Sequence, residues 1–295
     1  MRFLRLHTAR GMAGLLLKGV GVLLFAYIIY TIDIRHALAV LLRVPPSAIM
    51  LTMGLFPAIY LLKAWRWHVL VRGTGKHEPF ASSFGLYMSS LFLGIATPGK
   101  MGEALKIPAL VREGMSLRNA ILLTILDRVL DVLVLAVLLV AAGMLLLSDV
   151  HAALLAGALA AAILLLLIAA VLFSRLRRFL TPDLPLRTWL LSMTITVAGW
   201  CVYFLQLVVL AWGFGFQLPL PLFLAIMTVA GIVSVLPIAP AGLGTRDAAL
   251  LFFFGRLGIP AEQTIAFAFA IFILTVLASS LCGYYWLRHP LISRR

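Results

Sequence analysis

The sequence predicts an all-α polytopic membrane protein: about six full transmembrane helices plus two re-entrant helical hairpins in an inverted-repeat arrangement. Three observations carry this expectation. Hydrophobic residues make up 63% of the chain and charged residues 12%, where soluble domains hold about 45–50% and about 25%. Several apolar runs reach the roughly 20 residues that cross a bilayer as a helix. The basic residues gather at the ends of those runs.

Long apolar runs lie at about 12–32, 47–64, 117–147, 152–173, 188–212 and 263–287. The first follows Arg2, Arg5 and Arg10 and has no small-residue cleavage site, so it reads as an uncleaved span. Two shorter runs, 80–96 and 220–236, each end in a Pro/Gly-rich charged motif, TPGKMGEALK (97–106) and PIAPAGLGTRDAAL (237–250). If 80–96 crossed fully, Lys100, Lys106, Arg112, Arg118, Arg175, Arg177, Arg178 and Arg187 would all fall outside the cell. If 80–112 re-enters from the cytoplasm, all of them return inside, as the positive-inside tendency demands. The nearly uncharged GFGFQLPLP (213–221) is then external, and 220–258 dips in from that side. The alternative is eight full transmembrane helices.

In the hairpin reading the chain is one transmembrane domain, 1–295, holding two half-modules. The first, 47–147, contains hairpin 80–112; the second, 188–287, contains hairpin 220–258. Their orientation is opposite, the plan of many transporters. Both termini are expected in the cytoplasm.

The net charge of +14, from 24 Lys+Arg against 10 Asp+Glu, is read as this topology signal plus attraction to anionic lipid heads at the cytoplasmic face. No nucleic-acid module appears. Cys201 and Cys282 lie in apolar runs, and the six histidines lack ligand spacing. No metal site, cofactor or catalytic residue is therefore expected.

Charge inside apolar sequence marks the candidate site. In the first motif Pro98 suits the first turn of a half-helix, with Thr97 as its cap. Gly99 and Gly102 permit a tight turn or a close approach to backbone. Lys100 is a further cation, and Glu103 and Lys106 share a helical face. In the second, Gly242 and Gly244 loosen the backbone and Thr245 caps a helix over 246–256. Asp247 there suits the helix dipole, and Arg246 suits a bidentate phosphate contact. The third constellation, ILDRVLDVLVL (125–135), puts Asp127, Arg128 and Asp131 within a long apolar helix. Asp127 and Asp131 share a face, and Arg128 can pair with Asp131. Three such charges cost up to about 10 kcal/mol gross at a helix centre, so they are expected to face a cavity or pair within the bundle. Lys63, Trp65, Arg66, Trp67 and His68 read as an interfacial belt, with Arg66 reaching a head group as the second reading. Trp200, Tyr203 and Gln206 read as helix packing.

These motifs together resemble the lysylphosphatidylglycerol synthase transmembrane (flippase-like) family, as a stand-alone member lacking the soluble aminoacyl-transferase domain. The family pattern P-x-R-x-G-E-x-x-R corresponds to Pro98–Lys106, E/D-R-x-x-D to Asp127–Asp131, and G-x-G-x-R-E to Gly242–Asp247. Lys replaces Arg at 100 and 106, and Asp247 replaces Glu. The resemblance and the charged cavity imply an inner-membrane translocator for a polar-headed, phosphate-containing lipid or lipid-linked substrate. The alternatives are a membrane-embedded transferase and a non-catalytic scaffold. A lipid-synthesis enzyme and a second copy of the chain are the expected protein partners.

Overall fold

A computed structural model describes residues 39–96, 98–146, 184–235 and 244–288. The apolar runs 12–32 and 152–173, Thr97 and Gly242 lie outside the described residues. Among the described residues all regular structure is helical.

Helix α1 spans Pro46–Gly73, with a proline in its first turn, where the missing N–H costs nothing. Helix α2 spans Phe80–Ala96, a 3-10 segment covers Pro98–Leu105, and the short α3 runs Lys106–Arg112. Helix α4, Leu117–Leu146, is 30 residues long. Then follow α5 (Leu186–Gly213), α6 (Leu220–Val235), α7 (Thr245–Arg256) and α8 (Ala261–Arg288). Segments Pro46–Gly73, Leu186–Gly213 and Ala261–Leu287 are long and apolar enough to cross a membrane. Helix α4 has the length as well, but carries Asp127, Arg128 and Asp131.

Three local expectations are corrected. The expected half-helix at Pro98 is a 3-10 segment, and α-helix begins only at Lys106. Helix α7 begins at Thr245, one residue early, and Gly244 rather than Thr245 is its N-cap, at φ 81°. The run read as 47–64 extends as helix to Gly73, because Trp67, Leu70 and Val71 bury a face beyond the polar cluster.

Helices α1 and α5 are both 28 residues long and pack antiparallel. A Cβ on Gly73, the last residue of α1, would lie 2.6 Å from Thr188 Cγ2, near the start of α5; one on Gly213, the last of α5, would lie 2.5 Å from Ala48 Cβ, near the start of α1. Ala48 and Thr188 hold the same position in their helices, so the contact is reciprocal. Further packed pairs repeat the relation: α2 with α8 and α6 with α4, the 3-10 segment with α2 and α7 with α6, α3 with α4 and α7 with α8. The α1–α2 packing has no counterpart of similar extent between α5 and α6.

One contact joins the two ends of each helical insert. Lys76, just after α1, pairs with Glu113, just before α4. On the other side, Gln263 Nε2 donates to the Phe214 carbonyl at 2.7 Å, joining the start of α8 to the end of α5. Within the first insert the chain doubles back tightly. A Cβ on Gly102 would stand 2.3 Å from the Leu93 carbonyl carbon and oxygen, a distance no side chain survives, so glycine here is a packing requirement.

Candidate functional site

The site is built around Arg66, which lies inside α1 and is 1% exposed. Its Nε and Nη2 donate to Asp127 Oδ1 at 3.0 and 2.8 Å, and Nη2 also reaches the Asp127 carbonyl at 3.0 Å. Nη1 and Nη2 donate to Asp131 Oδ1 and Oδ2 at 2.8 and 3.1 Å. Nη1 reaches Thr196 Oγ1 at 3.2 Å as well. All three guanidinium nitrogens are thus engaged, and one arginine bridges two carboxylates set one turn apart on α4. Only the planar fork of arginine has the donors for this.

The second Asp127 oxygen accepts from Lys106 Nζ at 3.0 Å. Lys106 is fully buried, with its ammonium over the rings of Trp67 (4.3 Å) and Tyr87 (4.6 Å). Those faces favour a desolvated cation. Glu103 Oε2 stands 4.0 Å from Lys106 Nζ and pairs with Arg128, whose side chain is 37% exposed. Asp131 also accepts from Trp200 Nε1 at 3.2 Å. A buried charge left without its partner costs several kcal/mol, so this connected network is what lets charges sit inside an apolar bundle.

The network forms one wall of a cavity of about 670 Å³. Lys63, Arg66, Glu103, Arg128 and Asp131 line it, with Thr196, Trp200, Tyr203 and Gln206 from α5. Arg246 lines the cavity as well. Its guanidinium donates to Asp247 Oδ1 at 3.1 Å (Nε) and 2.9 Å (Nη2), and to the Ala268 carbonyl at 2.9 Å. Asp247 Oδ2 accepts from the Gly244 N–H at 2.9 Å, which fixes the start of α7 and aims the pair.

Of the residues singled out in the sequence, Glu103, Arg128, Asp131 and Arg246 line the cavity. Lys106 and Asp127 sit behind that wall, and Asp247 behind Arg246. The expected Arg128–Asp131 pair is replaced by Arg128–Glu103 and Arg66–Asp131. Arg66 and Trp200, assigned in the sequence to the interface and to packing, belong to the network. Their signal was present: Arg66 stands within a stretch that stays helical to Gly73, and Trp200 shares its face with Tyr203 and Gln206. Glu103 and Lys106 do meet, but across a 3-10 to α junction.

A comparison with curated proteins returns no match. The family model described as "Lysylphosphatidylglycerol synthase TM region" matches residues 12–283. With that match across the helices that build the cavity, the chain belongs to the lysylphosphatidylglycerol synthase transmembrane-region family and is a multi-pass membrane protein related to lipid modification or translocation.

Proposed function

We propose that the protein is a lipid translocator that passes a phosphate-containing head group through the cavity while the acyl or prenyl chains remain in the bilayer. The observation that carries this reading is the satisfied charge network facing a cavity of about 670 Å³ inside a membrane bundle. Intramembrane charge of this kind marks polar-substrate or ion pathways, and the volume is that of a small-molecule site.

The transport path rests on two inverted half-modules, 47–147 and 188–287. The reciprocal Gly73–Thr188 and Gly213–Ala48 contacts of antiparallel helices support a pseudo-two-fold axis across the bundle. An axis of that direction inverts topology between repeats. The Lys76–Glu113 and Gln263–Phe214 closures support re-entrant hairpins at 80–112 and 220–258. With the basic residues inside, the membrane is the cytoplasmic one and both termini face the cytoplasm.

Arg128 and Arg246 meet the head group. Glu103 holds Arg128, and Asp247 with the Gly244 N-cap holds Arg246. Arg66, Lys106 and Asp127 position Asp131 and keep the wall rigid. Reconstitution into liposomes with fluorescent lipids, followed by quenching from outside, tests the reading. Movement of a phospholipid above protein-free liposomes, reduced at least tenfold in Arg128→Gln, is the expected result. A lipid panel that moves no faster than in empty vesicles refutes it.

A further inference from the structure

Lys63 lies on α1 one turn before Arg66 and lines the same cavity. It forms no hydrogen bond or ion pair with a described residue, although Asp131 and Arg66 are near enough to act on its charge. The other cations of the network are committed: Arg66 to Asp127 and Asp131, Lys106 behind the wall to Asp127, Arg128 to Glu103. Set against Glu103, Asp127 and Asp131, the cations Lys63, Arg66, Lys106 and Arg128 leave one positive charge over. Arg246 and Asp247 cancel one another.

A half-buried ammonium with no hydrogen bond or ion pair among the described residues is expensive to keep in a bilayer, and a compact point charge with three donors is a good phosphate ligand. We infer that Lys63 is the primary phosphate ligand of the cavity, and that the surplus charge selects an anionic phosphodiester head group over a cationic, lysyl-esterified one. The inference rests on the translocator reading for the site, but its chemistry is that of binding alone. A lysyl ester brings two ammonium groups beside Lys63 and Arg128, and meets only carboxylates that already have partners. A phosphodiester meets the cavity cation that makes no hydrogen bond or ion pair among the described residues. The family's name alone would suggest the opposite preference.

The test uses the full chain in detergent, titrated with short-chain phosphatidylglycerol, its lysyl ester, the matching diacylglycerol and inorganic phosphate, with binding followed by native mass spectrometry. Wild type is expected to bind phosphatidylglycerol at least tenfold more tightly than the lysyl ester or diacylglycerol, with affinity falling as salt rises. Lys63→Gln should weaken phosphatidylglycerol binding about tenfold or more, the loss of a charge-assisted contact, while Lys63→Arg should retain most of it. Inorganic phosphate separates the sources: competition at Lys63 marks a general phosphate site, and no competition marks a site that needs the lipid; both support the ligand role. Equal binding of Lys63→Gln and wild type, tighter binding of the lysyl ester, or no binding of any probe overturns the inference. The wild-type comparison needs no variant to fold. Lys63-dependent binding without transport leaves this assignment standing and removes the translocator reading. Transport with an indifferent Lys63→Gln does the reverse.

Discussion

Replacing Arg66 with methionine removes the hub of the charge network while keeping most of the side-chain volume. Asp127 retains Lys106 at 3.0 Å, and Asp131 retains one hydrogen bond, from the Trp200 N–H at 3.2 Å, with the Lys63 charge nearby. The cost is therefore dominated by Asp131, which loses both of its charge-assisted hydrogen bonds inside the bundle. Removing one partner of a buried pair costs about 3–5 kcal/mol, and the two bidentate contacts put this case toward the upper end. Such a loss lowers the melting temperature by about 10 °C for a chain of this size. The double variant Arg66→Met/Asp131→Asn deletes the orphaned charge as well, and should recover part of the loss, with a coupling of about 1–3 kcal/mol. The assay is thermal unfolding of the detergent-purified protein by intrinsic fluorescence, for both single variants and the double. Arg66→Met within about 2 °C of wild type, or a double variant that loses the full sum of the singles, would show that the network is not the structural hub described above.

Other perturbations read different parts of the fold. Gly102→Ala drives a Cβ into the Leu93 backbone, which cannot yield as a side chain can, so the yield of folded protein should collapse. Gly54→Ala, with open space around the new atom, should purify like wild type in the same preparation. Gly94→Ala presses on the Glu103 side chain, 2.7 Å away at Cγ, and should disturb the Glu103–Arg128 pair. Lipid movement in liposomes should then fall severalfold with a melting point close to wild type. In a Cys201→Ser background, Ser116→Cys and Gln217→Cys should take up an impermeant thiol reagent from opposite faces of the membrane; labelling of both from one face contradicts the two opposed hairpins. Trp200→Phe keeps the ring and loses the hydrogen bond to Asp131, a change of about 1.5–3 kcal/mol that melting should report.

Much of the helical architecture was legible because a bilayer allows few choices: a run of apolar residues with basic ends is a helix end to end. Asp127, Arg128 and Asp131 were legible for the same reason, since charge in an apolar run needs a partner. The partners themselves were not. Pairing along one helix suggested Arg128 with Asp131, but their partners come from other elements: Arg66 of α1 reaches across to Asp131, and Glu103 takes Arg128. Hydropathy ended the first described span near residue 64 because Lys63, Arg66 and His68 lower it. Burial ended it at Gly73, because those polar residues alternate with Trp67, Leu70 and Val71 on a packed face. Gly102 and Gly99 looked alike in sequence, and only the fold of α2 against the 3-10 segment shows why position 102 must be glycine.

The pairing of α1 with α5 gives the cavity a further property. Tyr60, Lys63 and Arg66 occupy the same positions in α1 as Trp200, Tyr203 and Gln206 in α5, and all six line the cavity. The backbone relation between the halves therefore passes through the site, but the chemistry does not follow it. Where α1 places two cations, α5 places a phenol and an amide, and Gln206 spends its Nε2 on the Thr52 carbonyl at 2.9 Å. A backbone with two equivalent halves has two related conformations available at little cost, one opening toward each face. In the translocator reading, the surplus charge on the first half makes those conformations unequal for an anionic head group: Lys63 and Arg66 turn with α1, whereas Arg246 on the second half is cancelled by Asp247. A ligand can shift such an equilibrium only by its difference in affinity for the two states, and in the translocator reading this asymmetry would supply that difference. Installing charge on the second half, Gln206→Lys, should narrow it: phosphatidylglycerol should bind more tightly yet cross more slowly in the same liposomes. Tighter binding accompanied by faster transport would mean that the asymmetry of the wall does not govern the exchange.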